Sequence, residues 1–423
     1  MKTAIDLFCG CGGMAEGLMK AGFHIVFAND ISQFASETYM NRHTQLGLIE
    51  GKDYSFYQGD IHNVTGQFIN DRIKRLDCFK NDKNCKIDAI FGGPPCQGFS
   101  MAGKRDKNDP RNLLFKEYLR VVSEIKPDYV IMENVVGFLS TELSGFVSYD
   151  GEKYELGNES MAPNILINEF KKIGYKTLKP RVLNASDFGV PQNRRRVVFL
   201  AYRNGVRKPS YPKPNSNKIT LKEAIGDYYI NNFRSPYIDD RKANVVNIDS
   251  IKNTERSSVN VLTTERFSLF RDGETSSMIK QRIKKEGIDL SAKPNLLNYI
   301  CSCLNLSSNN EAINYYKSKN LSNKDIEILL TKKSMRKKLD PNSPSLTVVT
   351  IPDDYINPFN NSIFTVRELA RIQSFDDDFV FYGKRTTGGK LRKKETPQYT
   401  QVGNAVPPLL AYNIGKSIIE LIN

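Results

Sequence analysis

Three histidines in 423 residues, at 24, 43 and 62, leave little from which to build a metal centre. The cysteines do not make up the deficit. Cys9-Gly10-Cys11 and Cys301-Ser302-Cys303 have one-residue spacers rather than the two to four of a metal-binding pair, so no metal is expected. Seven cysteines (9, 11, 78, 85, 96, 301, 303) are an odd number in a long chain and argue against a secreted disulfide framework. No run of 18 apolar residues occurs, which excludes a membrane-spanning helix and, with it, a membrane partner. The stretch Met1–Gly13 reaches glycine and cysteine before any signal-like apolar run develops. A reducing cytoplasm is the expected setting. With 39% hydrophobic and 26% charged residues the composition is globular, and the length suggests two domains or three.

Positive charge, by contrast, is abundant and has an address. The net charge is +14, and the segment Tyr202–Ser345 holds 26 Lys/Arg against 15 Asp/Glu, so eleven of the fourteen charges sit in one third of the chain. A solvated surface is the plain alternative. Charge concentrated in one segment favours a polyanion-binding face, and nucleic acid is the expected polyanion.

The first 200 residues alternate short apolar runs with amphipathic stretches. Thr3–Phe8, His24–Asn29, Ile87–Phe91, Tyr129–Met132 and Val197–Tyr202 read as strands, with helices over Met14–Ala21, Gln33–Arg42, 113–125 and Ile165–Ile173. This rhythm implies an α/β fold with a mostly parallel sheet, helices on both faces, and a ligand edge at the strand ends near Phe8, Asn29 and Phe91. Asp150-Gly151 signals a small hairpin. After Tyr202 the chain turns rich in Pro, Asn and Lys, marking a boundary. Up to about Ser345 it loses the alternation, with basic helices expected at Gln281–Gly287 and Lys324–Lys338. Cys301 and Cys303 are expected to be buried, and Tyr412–Leu421 reads as an amphipathic helix returning to the first domain.

Four motifs carry chemistry. Asp6–Gly13 (DLFCGCGG) puts glycines at a strand-to-helix turn, where backbone can approach a ligand, and Asp30 ends the next strand, where a carboxylate can accept ribose hydroxyls. A tight turn is the alternative. The loop is not G-x-G-x-x-G and presents no Lys to phosphates, which disfavours NAD and ATP and leaves S-adenosylmethionine. Next, Gly92–Ser100 (GGPPCQGFS) places Cys96 among prolines and glycines at the ligand edge. That position suits a nucleophile, against the alternative of a buried structural thiol. Glu133-Asn134-Val135 follows a strand, and partial desolvation there should raise the pKa of Glu133; a capping or salt-bridged glutamate is the alternative. In Gln192–Arg196 (QNRRR), strand alternation puts Arg194 and Arg196 on one side, where they could fork onto an anion or form part of a solvated run.

With these residues in order, the sequence resembles the DNA (cytosine-5)-methyltransferases, most closely the bacterial modification enzymes. Beside the four motifs, Gly59-Asp60-Ile61 resembles the adenine-contacting block, Arg367–Phe375 (RELARIQSF) the block after the target-recognition region, and Gln401–Pro408 (QVGNAVPP) the last block. Leu346-Thr347-Val348 resembles the element that ends the recognition region. Between the arginine block and Arg367 nothing else matches, so the family's recognition residues do not carry over.

The resemblance implies a Rossmann-like methyltransferase domain over 1–203, completed by 398–423, with a smaller, irregular target-recognition domain over 204–397. It implies S-adenosylmethionine held by Phe8, Gly10, Gly12, Gly13, Asp30, Ile31, Asp60, Ile61, Pro95, Leu114, Asn404 and Ala405. Cys96 would add to C6 of a flipped cytosine, protonated Glu133 would donate to N3, Arg194 would hold O2 and Arg196 would orient Glu133. The loop Ser100–Arg111 would close over the base, with Ser100, Lys104 and Arg105 on DNA. Double-stranded DNA is the expected partner of a monomeric, nucleoid-associated enzyme, beside a cognate restriction endonuclease acting separately. Three other readings compete: a tRNA cytosine-5 methyltransferase sharing the Pro-Pro-Cys-Gln and Glu-Asn-Val motifs, a catalytically dead DNA-binding protein, and a nucleotide-dependent oxidoreductase. The basic segment disfavours the first, and intact Cys96, Glu133, Arg194 and Arg196 disfavour the second. The third leaves Cys96 to Arg196 unexplained.

Overall fold

The computed structural model describes residues 1–82, 85–95, 114–143, 145–148, 150–155, 157–215, 217–237, 251–318, 321–330, 336–388, 391 and 395–422. Its centre is an eight-stranded sheet. Strands β1 (Lys2–Leu7), β2 (Phe23–Asp30), β3 (Ser55–Gln58), β4 (Ala89–Gly92) and β5 (Tyr129–Val135) run parallel in the order β3-β2-β1-β4-β5. Two short strands, β6 (Phe146–Val147) and β7 (Lys153–Tyr154), form the hairpin expected at Asp150-Gly151. Strands β8 (Tyr175–Thr177) and β9 (Arg181–Asn184) both pair with β10 (Arg195–Arg203), which runs antiparallel to β5 with Arg196 opposite Val135 and Val198 opposite Glu133.

Side-chain alternation along the strands divides the core in two. Ile5, Leu7, Ile90, Val130, Met132, Val197 and Phe199 face one layer, built with Ile69 and Ile73 of α3 (Gly66–Ile73), Phe115 and Leu119 of α4 (Leu114–Ile125) and Leu166 and Phe170 of α5 (Ala162–Lys172). Ala4, Ala89, Phe91, Ile131, Val198 and Leu200 face the other. There α1 (Gly13–Ala21) contributes Met14 and Leu18, α2 (Gln33–Gln45) contributes Tyr39, and the C-terminal helix Pro408–Ile419 contributes Leu410, Ile414 and Ile418. Each fully buried side chain of this size is worth about 1.5–3 kcal/mol of transfer free energy.

Helix Pro408–Ile419 packs on α1 at very short range. A Cβ at Gly17 would lie 2.2 Å from the Pro408 carbonyl oxygen, and one at Gly13 would lie 2.4 Å from that of Val406. Only glycine permits this approach, and it brings residues 402–406 against the first strand-to-helix turn.

The segment expected to be irregular is helical. Five helices, Val261–Ser268, Ser276–Glu286, Pro294–Leu304, Asn309–Lys317 and Asn323–Leu329, share an apolar cluster including Phe267, Ile279, Leu296, Tyr316 and Leu329. The expected helix Lys324–Lys338 stops at Leu329. Lys337–Lys338 instead form β11, parallel to β12 (Tyr355–Ile356), and residues 331–335 lie outside the described ones. Lys338 is buried, with Nζ 2.9 Å from Asn361 Oδ1 and 3.4 Å from Asp272. The Arg336 guanidinium lies over the Phe267 ring, so both cations serve packing rather than a free basic face. Cys303 is exposed and Cys301 half-buried, both on helix Pro294–Leu304, against the expectation of burial.

Candidate active site

The strand ends converge as the β-α-β pattern requires. The Cys9 N–H donates to the Asn29 carbonyl, and the Gly59 N–H donates to the Asp30 carbonyl, both at 3.0 Å. The Asn29 amide donates to the carbonyls of Tyr57 and Gly59, locking the ends of β2 and β3. The turn after β1 is left-handed at Phe8 (φ 57°), Gly10 (φ 55°) and Gly12 (φ 96°). Such a φ is a strained position for a bulky phenylalanine, of the kind that clusters at ligand sites. A Cβ on Gly10 would meet nothing within 4 Å, so the backbone there borders open space.

Asp30 is anchored beside this turn. Its Oδ2 accepts the Gly10 N–H at 2.9 Å and its Oδ1 accepts that of Ser32 at 2.8 Å, leaving further lone pairs on both oxygens. Burial raises the carboxyl above its ordinary value, opposed by the N–H groups of Ser32, Gly10 and Ile31. Ile31 is 69% exposed, an apolar side chain facing outward at the same rim. Asp60 is exposed; its Oδ1 accepts the His62 N–H and meets His62 Nδ1 at 2.6 Å, which holds it below the usual carboxylate range. Ile61 and the partly buried Phe8 belong to the apolar core under the loop, as does Leu114 at the start of α4. Asn404 is exposed at the end of helix Gln398–Asn404. The Ala405 Cβ lies 3.2 Å from where a Cβ of Gly13 would stand. Asp6 is buried with its Oδ2 unpartnered, and burial with the nearby Asp30 charge pushes its carboxyl well above the usual range.

The second half of the site is built on β5 and β10. Glu133 Oε1 meets Arg196 Nε at 2.8 Å, both side chains almost buried. A Cβ on Gly93 would stand 3.4 Å from Glu133 Oε2, and Asn134 Nδ2 donates to the Pro94 carbonyl at 3.1 Å. Glu-Asn-Val and the Gly-Gly-Pro-Pro loop are therefore joined up to Pro95. Cys96, Ser100, Lys104 and Arg105 lie outside the described residues.

Arg194 is buried beside the Glu133–Arg196 pair and is engaged by backbone carbonyls. Its guanidinium is 2% exposed and donates from one terminal nitrogen to the Val348 carbonyl (3.2 Å) and from the other to that of Gly403 (2.9 Å), with Nε buried and unpartnered. Burial and then Arg196 pull its pKa well below the ordinary value, against Glu133. Two buried residues that sequence reading passed over complete this joint, Gln192 and Gln373, whose side-chain amides meet at 2.8 Å. Both stand inside recognisable blocks, and that position was their only signal.

A family model described as C-5 cytosine-specific DNA methylase matches residues 2–420. The chain belongs to that family. It is a DNA cytosine-5-methyltransferase, and methylation in this family draws on S-adenosylmethionine. The chain is 31% identical to the Type II methyltransferase M.DdeI of Desulfomicrobium norvegicum, over 99% of this chain and 90% of that one. It is 30% identical to M1.HphI of Haemophilus parahaemolyticus, over 99% and 87%. Among solved structures, one described as a DNA modification methyltransferase encoded within an E. coli prophage superposes with a TM-score of 0.65 at 23% identity, covering both chains fully. That likeness supports the Rossmann-like, mostly parallel sheet. No helix among the described residues is long and apolar enough to cross a membrane.

Proposed function

We propose that this methyltransferase modifies one cytosine within a specific double-stranded DNA sequence through a covalent adduct of Cys96, as the modification partner of a restriction endonuclease or alone. The observation that carries the reading is the Glu133–Arg196 pair, tied through Asn134 to Pro94 two residues before Cys96. The residues present fit S-adenosylmethionine. The Gly10 backbone borders open space, Asp30 keeps lone pairs for ribose hydroxyls, exposed Ile31 offers an apolar face to adenine, Asp60 keeps Oδ2 for its amine, and the stretch Asp6–Gly13 carries no Lys or Arg to want a phosphate. Phe8, Gly10, Gly12, Gly13, Ile61, Pro95, Leu114, Asn404 and Ala405 would line the rest. When bound, the cofactor supplies an electrophilic methyl group.

C5 of cytosine is a poor nucleophile until a group adds at C6. The Cys96 thiolate forms the S–C6 bond, and the displaced electrons make C5 enamine-like. Glu133 shares a proton with N3 and accepts from the exocyclic amine, which selects cytosine over thymine. Arg196 fixes that carboxyl and would reach O2, while Arg194, held by the carbonyls of Val348 and Gly403, would support the strand end. After C5 is methylated its proton is lost, the S–C6 bond breaks and the thiolate leaves. Flipping the base costs a few kcal/mol, offset by phosphate contacts from Ser100, Lys104, Arg105 and the basic segment. The catalytic unit would be 1–203 with 398–423, and 204–397 would read the DNA. Bisulfite sequencing of plasmid DNA from cells expressing the chain tests this: protected cytosines in one sequence context support it, and uniform conversion contradicts it.

A further inference from the structure

The buried pair Gln192 and Gln373 joins two regions that the chemistry keeps apart. Residues 345–348, which end the recognition segment, lie along 191–194: Asn193 N–H donates to Ser345 O at 2.7 Å, Ser345 N–H donates to Pro191 O at 2.9 Å, and Thr347 Oγ1 donates to Asn193 O at 2.8 Å. The Val348 N–H then donates to Gln192 Oε1 at 2.7 Å. Gln192 Nε2 donates to Gln373 Oε1 at 2.8 Å, and Gln373 Nε2 donates to the Val402 carbonyl at 2.7 Å. The two ends fix both amide orientations, because a backbone N–H can only donate and a backbone carbonyl can only accept. Gln192 and Gln373 are fully buried, so a broken link leaves a polar group unsatisfied in the core. Arg194 ties the same two regions a second time, from Val348 O to Gly403 O. There is no slack at the far end: a Cβ on Gly403 would lie 2.8 Å from the Val349 backbone.

We propose that Gln192 and Gln373 are positioning residues that couple DNA bound at the recognition segment to the cofactor side of the site, by holding Val348 and the turn Val402–Ala405 in one hydrogen-bonded relay. The proposal rests on the reading that Asn404 and Ala405 help to hold the cofactor. Coupling of this kind is reciprocal, so DNA should tighten cofactor binding by the factor by which cofactor tightens DNA binding.

The test uses the full-length enzyme, S-adenosylhomocysteine as an unreactive probe, and a duplex containing the site mapped by bisulfite sequencing. Calorimetry gives the Kd of the probe with and without saturating duplex. For the wild type the ratio should be about five-fold or more. Gln192→Met and Gln373→Met should each bring it close to 1, and the double variant should do no more. Should Gln192→Met fail to fold, Gln192→Glu keeps the Val348 contact but cannot donate to Gln373, and should lose the coupling equally. A wild-type ratio near 1, or folded variants that keep the wild-type ratio, would overturn the relay. A wild type that binds no probe at all would overturn the cofactor assignment with it.

Discussion

Arg196 reaches Glu133 diagonally across the antiparallel pair β5–β10, with Nε 2.8 Å from Oε1, although they stand 63 positions apart in the chain. This two-residue diagonal places a carboxyl and its orienting cation at a strand end that Asn134 joins to the Pro-Pro loop. Because the two act as one unit, their substitutions should not add. Glu133→Gln should lower kcat by about 100-fold or more, as expected for loss of a general acid. Arg196→Ala should come close to it, and the double variant should be little worse than the poorer single. Multiplicative losses in single-turnover methyl transfer would show that the two act independently.

Helix Pro408–Ile419 reaches α1 only because position 17 lacks a side chain. Gly17→Ala would put a methyl 2.2 Å from the Pro408 carbonyl and 2.7 Å from the Ala411 Cβ, forcing the two helices apart. Overpacking of this kind costs about 1–3 kcal/mol. Thermal melting should show a lowered Tm, and calorimetry a weakened affinity for S-adenosylhomocysteine, since residues 402–406 move with the helix. A lowered Tm with unchanged cofactor affinity would detach the C-terminal segment from the cofactor site.

Asp6 offers a pH test. Its carboxyl is raised in the folded protein by burial and then by Asp30. Above the ordinary aspartate value of about 3.9, the folded state holds a proton that the unfolded chain has released. Stability therefore falls as pH rises from there toward the raised folded value. Asn at this position has no such dependence. The Tm of Asp6→Asn minus that of the wild type should increase between pH 4 and pH 7. A difference that stays flat would mean that Asp6 titrates alike in both states.

Much of the first domain was readable because buried strands in a parallel sheet are short, apolar and β-branched. Ala89–Gly92 and Tyr129–Val135 show this pattern. β3 (Ser-Phe-Tyr-Gln) and the polar β8 and β9 lack it, and their strand character comes from neighbours supplied by the sheet. Two helices of the recognition segment were legible in their basic stretches, Gln281–Gly287 at the end of Ser276–Glu286 and the start of Lys324–Lys338 within Asn323–Leu329, while their caps mark where they begin. Ser322 with Asp325 forms a capping box, and Thr275 and Ser308 cap the helices that follow them. The basic run after Leu329 drew the expected helix too far. Arg194, just before β10, gave no local sign of its partners, because Val348 and Gly403 lie more than 150 residues away in sequence. No local pattern carries that contact.

The basic segment separates into two kinds of cation. Lys284 and Lys285 are exposed in the last turn of helix Ser276–Glu286, whereas Lys338 is buried and Arg336 is nearly so. Changing Lys284 and Lys285 to Gln should leave Tm unchanged and flatten the salt dependence of duplex binding, by about 0.9 in the log–log slope for each phosphate no longer neutralised. Arg336→Gln and Lys338→Gln should instead lower Tm. An unchanged slope in the first pair would move the DNA surface to other cations of the segment.

The central claim is a covalent bond between Cys96 and C6 of the target cytosine. A duplex carrying 5-fluorocytosine at the methylated position tests it directly, because fluorine at C5 cannot leave as a proton does and the adduct cannot resolve. Incubated with the enzyme and S-adenosylmethionine, it should yield a denaturation-resistant protein–DNA band that is absent with Cys96→Ala and absent without cofactor. No band from the active wild type, or an equal band from Cys96→Ala, would contradict the mechanism.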